Sequence, residues 1–121
     1  MNENMVSTSS LPPSITPAIG HVITQFASDT KQLLQENIWA EYLFGSYATN
    51  RQTPGSDIDI LIIVKHLTPY LQRQVSGLAS DYSLEYNMYI SPIVQDIAVW
   101  KKNQYYHTLF YQDVVQQGIR L

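Results

Sequence analysis

The stretch FGSYATNRQTPGSDIDILIIV, residues 44–64, decides how the rest of the chain is read. After the two aspartates, DIDILIIV is apolar on both alternating sets. A strand of that kind is buried on both faces, as at the centre of a sheet covered by helices. Residues i and i+2 of a strand point to the same side, about 6.6 Å apart. Asp57 and Asp59 therefore converge on one spot at the mouth of an apolar strand. Two carboxylates held side by side repel one another unless a proton or a cation lies between them. A hard divalent ion such as Mg²⁺ meets that need with oxygen ligands alone and keeps waters for substrate phosphates.

The first half of the stretch supplies the complement. Gly45 ends a short aromatic and branched segment, IWAEYLF (38–44), and permits a tight turn with close backbone approach. Ser46 adds a hydroxyl and an N–H at the start of that turn, where oriented amides bind anions. A phosphate held there, facing a metal at the aspartates, describes a metal–triphosphate site. Phosphoryl chemistry of this kind needs chiefly positioning and charge neutralisation, which two metals ~3.5–4 Å apart provide in two-metal sites. An Asp-x-Asp is also a common cap or turn, so coincidental turn chemistry in a structural protein is the alternative.

Working outward, Ile15, Ile19, Val22, Ile23, Phe26, Leu33 and Leu34 recur near a 3.6-residue period and predict a helix over 14–35, with Pro17 in its first turn. Residues 1–13 are polar, end in Pro12-Pro13 and read as a flexible arm; 14–121 reads as one domain. Residues 46–56 form a turn and loop around Pro54-Gly55. Thr68 and Pro69 start a helix that ends near Ser80. SLEYNMYISPIV (83–94) alternates and reads as a third strand, with Pro92 marking an edge or a bend. Asp96 caps a helix through Trp100, and Thr108 to Gln117 forms a last helix stopped by Gly118. This order gives an α/β (α+β) domain with a small mixed β-sheet flanked by helices.

Composition narrows the function classes. The 121 residues are 45% hydrophobic and only 14% charged, with a net charge of −3 and no basic cluster beyond Lys101-Lys102, so no footprint for a long nucleic acid is visible. Cysteine is absent, which excludes disulfides, thiolate nucleophiles and Cys-type zinc sites. No apolar run approaches the roughly 18 residues of a membrane span, and the N-terminus lacks the pattern of a signal peptide, so a cytoplasmic protein is expected. The nine tyrosines, Tyr105, Tyr106 and Tyr111 among them, suit a protein-facing surface. His21, His66 and His107 show no metal-ligand spacing. Lys65 follows the central strand, where a solvated lysine is the common case.

GSYATNRQTPGSDID resembles the Gly-Ser, ten residues, Asp-x-Asp signature of the DNA polymerase β-like nucleotidyltransferase superfamily, and in particular its small stand-alone members, the minimal nucleotidyltransferases. The resemblance implies the polymerase β-like nucleotidyltransferase fold and a nucleoside triphosphate donor. It implies metals, two Mg²⁺ ions, held by Asp57 and Asp59, with Gly45, Ser46, Arg51 and Ser56 on the nucleotide. The implied reaction transfers a nucleoside monophosphate, AMP from ATP, to an acceptor hydroxyl with release of pyrophosphate. Many minimal members act as the antitoxin of a small HEPN-type helical partner, some by attaching AMP to a tyrosine of that partner. Members often carry Arg-Gly where this chain has Thr49-Asn50; Asn tolerates the left-handed conformation that Gly would supply, and Arg51 lies next door.

Superfamily enzymes usually place a third carboxylate on a later strand, as metal ligand and base for the acceptor hydroxyl. On the expected third strand that residue is Glu85, sharing a face with Asn87, Tyr89 and Ser91; a solvated strand residue is the alternative. The rival to an enzyme is a non-catalytic antitoxin-like binding module that works by contact through its tyrosines and keeps a vestigial nucleotide pocket. An exposed sheet edge would also suit a homo- or hetero-oligomer.

Overall fold

The structure, a computed structural model, describes residues 11–121. Most of the expected arm over 1–13 lies outside the described residues. Leu11, at its end, is buried with Ile15 in the main core.

Helix α1 (Pro17–Leu34) is capped by Thr16, whose hydroxyl accepts from the Ile19 N–H, and leads through a single 3₁₀ turn into β1 (Ile38–Phe44). A long loop follows, then β2 (Ile58–Val64), α2 (Pro69–Tyr86), β3 (Ile90–Asp96), α3 (Ile97–Tyr105), α4 (Leu109–Gln117) and β4 (Ile119–Arg120). The sheet order is β3-β2-β1-β4. β1 runs antiparallel to β2 and β4, while β3 lies parallel to β2, with α2 as the crossover that a parallel pair requires. The mixed sheet, and the edge position that Pro92 signals, match the expectation from sequence.

β2 is central and buried on both faces, with Ile58 through Val64 between 0% and 1% exposed apart from Asp59. Ile58, Ile60, Ile62 and Val64 face α1 and α2 in the larger core, together with Val22, Ile23, Phe26 and Val75. Leu61 and Ile63 face the other way, into a smaller core with Ala40, Trp100 of α3 and Val114 of α4. Asp59 alternates with the first set and so belongs to the α3/α4 side. Those two helices do not cover β3: Ile93, on the same face as its partner Leu61, is 38% exposed.

The expected third strand is corrected. α2 does not end near Ser80 but runs on to Tyr86, and β3 starts only at Ile90. The cause is tertiary packing. Tyr82 meets Phe26 edge-to-face at 5.3 Å and hydrogen-bonds Asp29 of α1, and Tyr86 packs on Tyr82 at 5.5 Å. Burying two rings and a hydroxyl bond outweighs the strand preference of an alternating Tyr-rich segment. Asn87, in the left-handed conformation at φ 52°, then stops the helix. α3 likewise extends past Trp100 to Tyr105, and β4 was not signalled in the sequence.

Candidate active site

The site forms where β1 ends and β2 begins. Phe44 pairs with Asp59 across the two strands, so the turn after Phe44 lies against the Asp59 side chain. Gly45 takes φ +73°, and a Cβ built on it would come 2.2 Å from Asp59 Oδ2. Only glycine admits both that backbone and that carboxylate. The oxygen of Asp59 thus rests in a cradle made by the missing side chain of Gly45.

Residues after Gly45 wind into a short helical turn. The Ala48 and Thr49 N–H groups donate to the Gly45 carbonyl at 3.1 and 3.2 Å, and the Arg51 N–H donates to the Ser46 carbonyl at 2.9 Å. The Ser46 and Tyr47 N–H groups precede these bonds, as the leading amides of a helical turn do. Asn50 closes the turn at φ 60°, so asparagine does take the left-handed role expected of it. Tyr47 is buried in the main core, which anchors the turn from below.

A hollow of 360 Å³ opens beside this turn, walled by Ser46, Thr49 and Arg51 on one side and by Phe110, Asp113 and Gln117 of α4 on the other. Gly45, Ser46 and Arg51 are thereby brought together next to Asp59. Ser56 is not part of this group. Its hydroxyl accepts from the Thr53 N–H at 2.8 Å in the turn that delivers the chain into β2, and it lines a separate hollow with Tyr47, Gly55 and Tyr89.

Asp57 is exposed just before β2, and Asp59 is half-buried on it. Burial, and secondarily the negative charge of Asp57, hold the Asp59 carboxyl above its ordinary range. Such a pair, with Asp59 partly desolvated and seated in a glycine cradle and the charge of Asp57 acting on it from the exposed strand start, fits a hard divalent cation in its donor chemistry. Asp57 and Asp59 would hold it, leaving further positions for water and phosphate oxygens.

Glu85 does not join them. It is exposed in the last turn of α2, and α2 packs on the face of the sheet opposite to Asp59. The position across from Asp59 on β3 is Ser91. Among the described residues no group of three or more His, Asp or Glu side chains stands close enough to hold a metal, and the three histidines make no site. Asp113 was not singled out in the sequence. A single acid in an amphipathic helix carries no local signal, and only the return of α4 against β1 brings it to Gly45.

A family profile for the nucleotidyltransferase domain matches residues 23–118. A putative protein adenylyltransferase of Methanocaldococcus jannaschii is 34% identical over 101 residues, covering 83% of this chain and 95% of that protein. Among solved structures, a toxin–antitoxin with AMP-PNP superposes with a TM-score of 0.51 at 20% identity, over 79% of this chain and 69% of that one. A toxin–antitoxin MntA–HpeT structure gives 0.47 at 24% identity, over 78% and 69%. The Gly45–Ser46 turn and the Asp57/Asp59 pair lie inside the matched region, and the chain belongs to the nucleotidyltransferase domain family, an enzyme of that class.

Proposed function

We propose that this protein is a Mg²⁺-dependent adenylyltransferase that moves AMP from ATP to a hydroxyl of a protein acceptor, a tyrosine of a HEPN-type toxin partner. The observation that carries the reading is the contact between Gly45 and Asp59, which sets the Asp59 carboxylate directly against the turn suited to phosphates. The similarity to a protein adenylyltransferase supports AMP and a protein as donor group and acceptor class.

In this reading the leading amides of the 45–50 turn, the Ser46 hydroxyl and Arg51 bind and orient the triphosphate. Asp57 and Asp59 would hold Mg²⁺, which when bound would supply charge neutralisation and Lewis-acid polarisation of the phosphates. The acceptor oxygen forms a bond to the α-phosphorus as the bond to the bridging oxygen breaks. Pyrophosphate leaves with that electron pair, and the acceptor proton passes to solvent. In-line geometry puts entering and leaving oxygens on opposite sides of phosphorus. With pyrophosphate at the Ser46 turn on the β1 side, the acceptor arrives over β3, beside Ser91, where the sheet face is open.

The test is label transfer. Protein from the cell of origin, incubated with this enzyme, Mg²⁺ and ATP labelled at the α-phosphate, becomes labelled on a protein band; ATP labelled at the γ-phosphate leaves it unlabelled. Absence of α-label transfer would overturn the proposal.

A second reading, a contact antitoxin with a vestigial pocket, is favoured by one observation: no third carboxylate joins Asp57 and Asp59 among the described residues. Its surface would be the exposed Tyr105, Tyr106 and Leu109. Neutralisation of a partner that survives Asp57→Asn/Asp59→Asn but not Tyr105→Ala/Tyr106→Ala selects that reading.

A further inference from the structure

Helix α4 faces the Gly45–Arg51 turn with a stripe that the site as described leaves unused. Phe110, Asp113 and Gln117 are three and four residues apart, on one face of the helix, and all three line the hollow beside Ser46 and Arg51. The helix is held at both ends. Thr108 Oγ accepts from the Tyr111 N–H at 3.2 Å, and the Gly118 N–H donates to the Val114 carbonyl at 2.8 Å. A Cβ at Gly118 would lie 2.4 Å from that carbonyl oxygen, so glycine is required for the chain to turn this closely into β4 and pair with Tyr42 and Leu43. Phe110 meets Phe44, the strand partner of Asp59, edge-to-face at 5.6 Å. Asp113 is thereby delivered to the β1 side of the carboxylate pair.

That position argues against two roles and for a third. Asp113 forms no three-acid cluster with Asp57 and Asp59, so it is not the missing metal ligand. It lies on the side of the triphosphate turn, away from the open β3 face by which an in-line acceptor enters, so it is not the acceptor's base. A carboxylate beside a triphosphate is repelled by it unless turned to hydrogen-bond donors. A nucleoside triphosphate offers such donors only in its nucleoside half, as ribose hydroxyls or an exocyclic amine.

We propose that Asp113 is a specificity-determining residue of the donor site, accepting a hydrogen bond from the nucleoside half of the nucleotide. Phe110 supplies an apolar wall, and Gln117, one turn on, extends the polar edge. The inference rests on reading the site as one for a nucleoside triphosphate.

Calorimetric titration in saturating Mg²⁺ tests it, with ATP, 2′-deoxyATP, 3′-deoxyATP and purine riboside triphosphate, which lacks the exocyclic amine. The wild type is expected to bind ATP about 10-fold more tightly than at least one analogue. Asp113→Ala brings that ratio close to one, while Asp113→Asn, which keeps an acceptor oxygen, retains part of it. The analogue that is discriminated tells ribose from base. Asp113 is exposed, so both variants should fold, and their unfolding curves check this. A wild type that binds all four equally, or a ratio that survives Asp113→Ala whatever the change in absolute affinity, overturns the inference alone. A wild type that binds none of them overturns the triphosphate site as well.

Discussion

Two carboxylates on neighbouring strands of one sheet have been treated in opposite ways. Glu41 on β1 points to the α1 side and is 1% exposed; Asp59 on β2 points to the α3/α4 side and is half-buried. Both are held above their ordinary range by burial. Around Glu41 the fold supplies compensation, with the Thr30 hydroxyl donating at 2.8 and 3.0 Å and the Lys31 ammonium 3.4 Å away. Burial still outweighs those partners, and the Glu41 carboxyl is pushed up to about 7. Around Asp59 the fold supplies the reverse, a second carboxylate and a glycine cradle, and among the described residues no Lys, Arg or His forms an ion pair with it. An acid given its partners by the fold is structural; on the proposed reading, one denied them at an open face is kept for a ligand.

The largest effect should come from removing the unpartnered pair. Asp57→Asn/Asp59→Asn should lower AMP transfer by at least about 1,000-fold, a barrier change of about 4 kcal/mol. The unfolding temperature in the absence of metal should stay level or rise, because repulsion and desolvation are relieved. Transfer assays and thermal unfolding of the same samples check both.

The next effect concerns Glu41. Its carboxyl sits at about 7 in the folded protein against 4.5 when unfolded, so its contribution to stability is fully present below 4.5 and is lost as the pH rises through about 7. The loss amounts to about 3 kcal/mol. Urea unfolding between these pH values should show that much less decline for Glu41→Gln than for the wild type. Asp59 shifts in the same direction, so its contribution too falls as pH rises, and Mg²⁺ should offset it only where both aspartates are present.

Gly45→Ala tests the cradle that distinguishes Asp59. The left-handed backbone and the collision with Asp59 Oδ2 should cost about 2 kcal/mol in unfolding free energy. Displacement of the carboxylate should also weaken Mg²⁺-dependent ATP binding by more than about 10-fold. The smallest effect belongs to Glu85→Gln, which should change nucleotide binding less than about twofold, since Glu85 lies on the α2 side of the sheet. A large loss there would place a carboxylate in the site that the fold puts elsewhere.

These predictions divide along the line of what the sequence made legible. β1, β2, the turn between them and the Asp57/Asp59 pair were readable because each is fixed by short-range chemistry: a doubly apolar strand, a glycine at a strand end and an i, i+2 spacing. The caps at Thr68 and Asp96 were readable for the same reason, and each side chain does accept from a helical N–H. The α2–β3 junction was not. Residues 83–89 alternate like a strand, and only the docking of Tyr82 on Phe26 and Asp29, 53 residues away, keeps the first part helical. That long-range contact moved Glu85 from the expected strand to a helix on the other face, leaving Ser91 opposite Asp59. Asp113 was hidden for a related reason, since α4 meets Gly45 only after the chain returns along β1.

The most direct test of the central claim, that Asp57 and Asp59 are kept unpartnered for a metal-bound triphosphate, is calorimetric titration with ATP, with and without Mg²⁺, on the wild type and on Asp57→Asn/Asp59→Asn. Binding that requires both the metal and the aspartates is the predicted result. Binding that is indifferent to the aspartates, or no binding by the wild type in Mg²⁺, would contradict it.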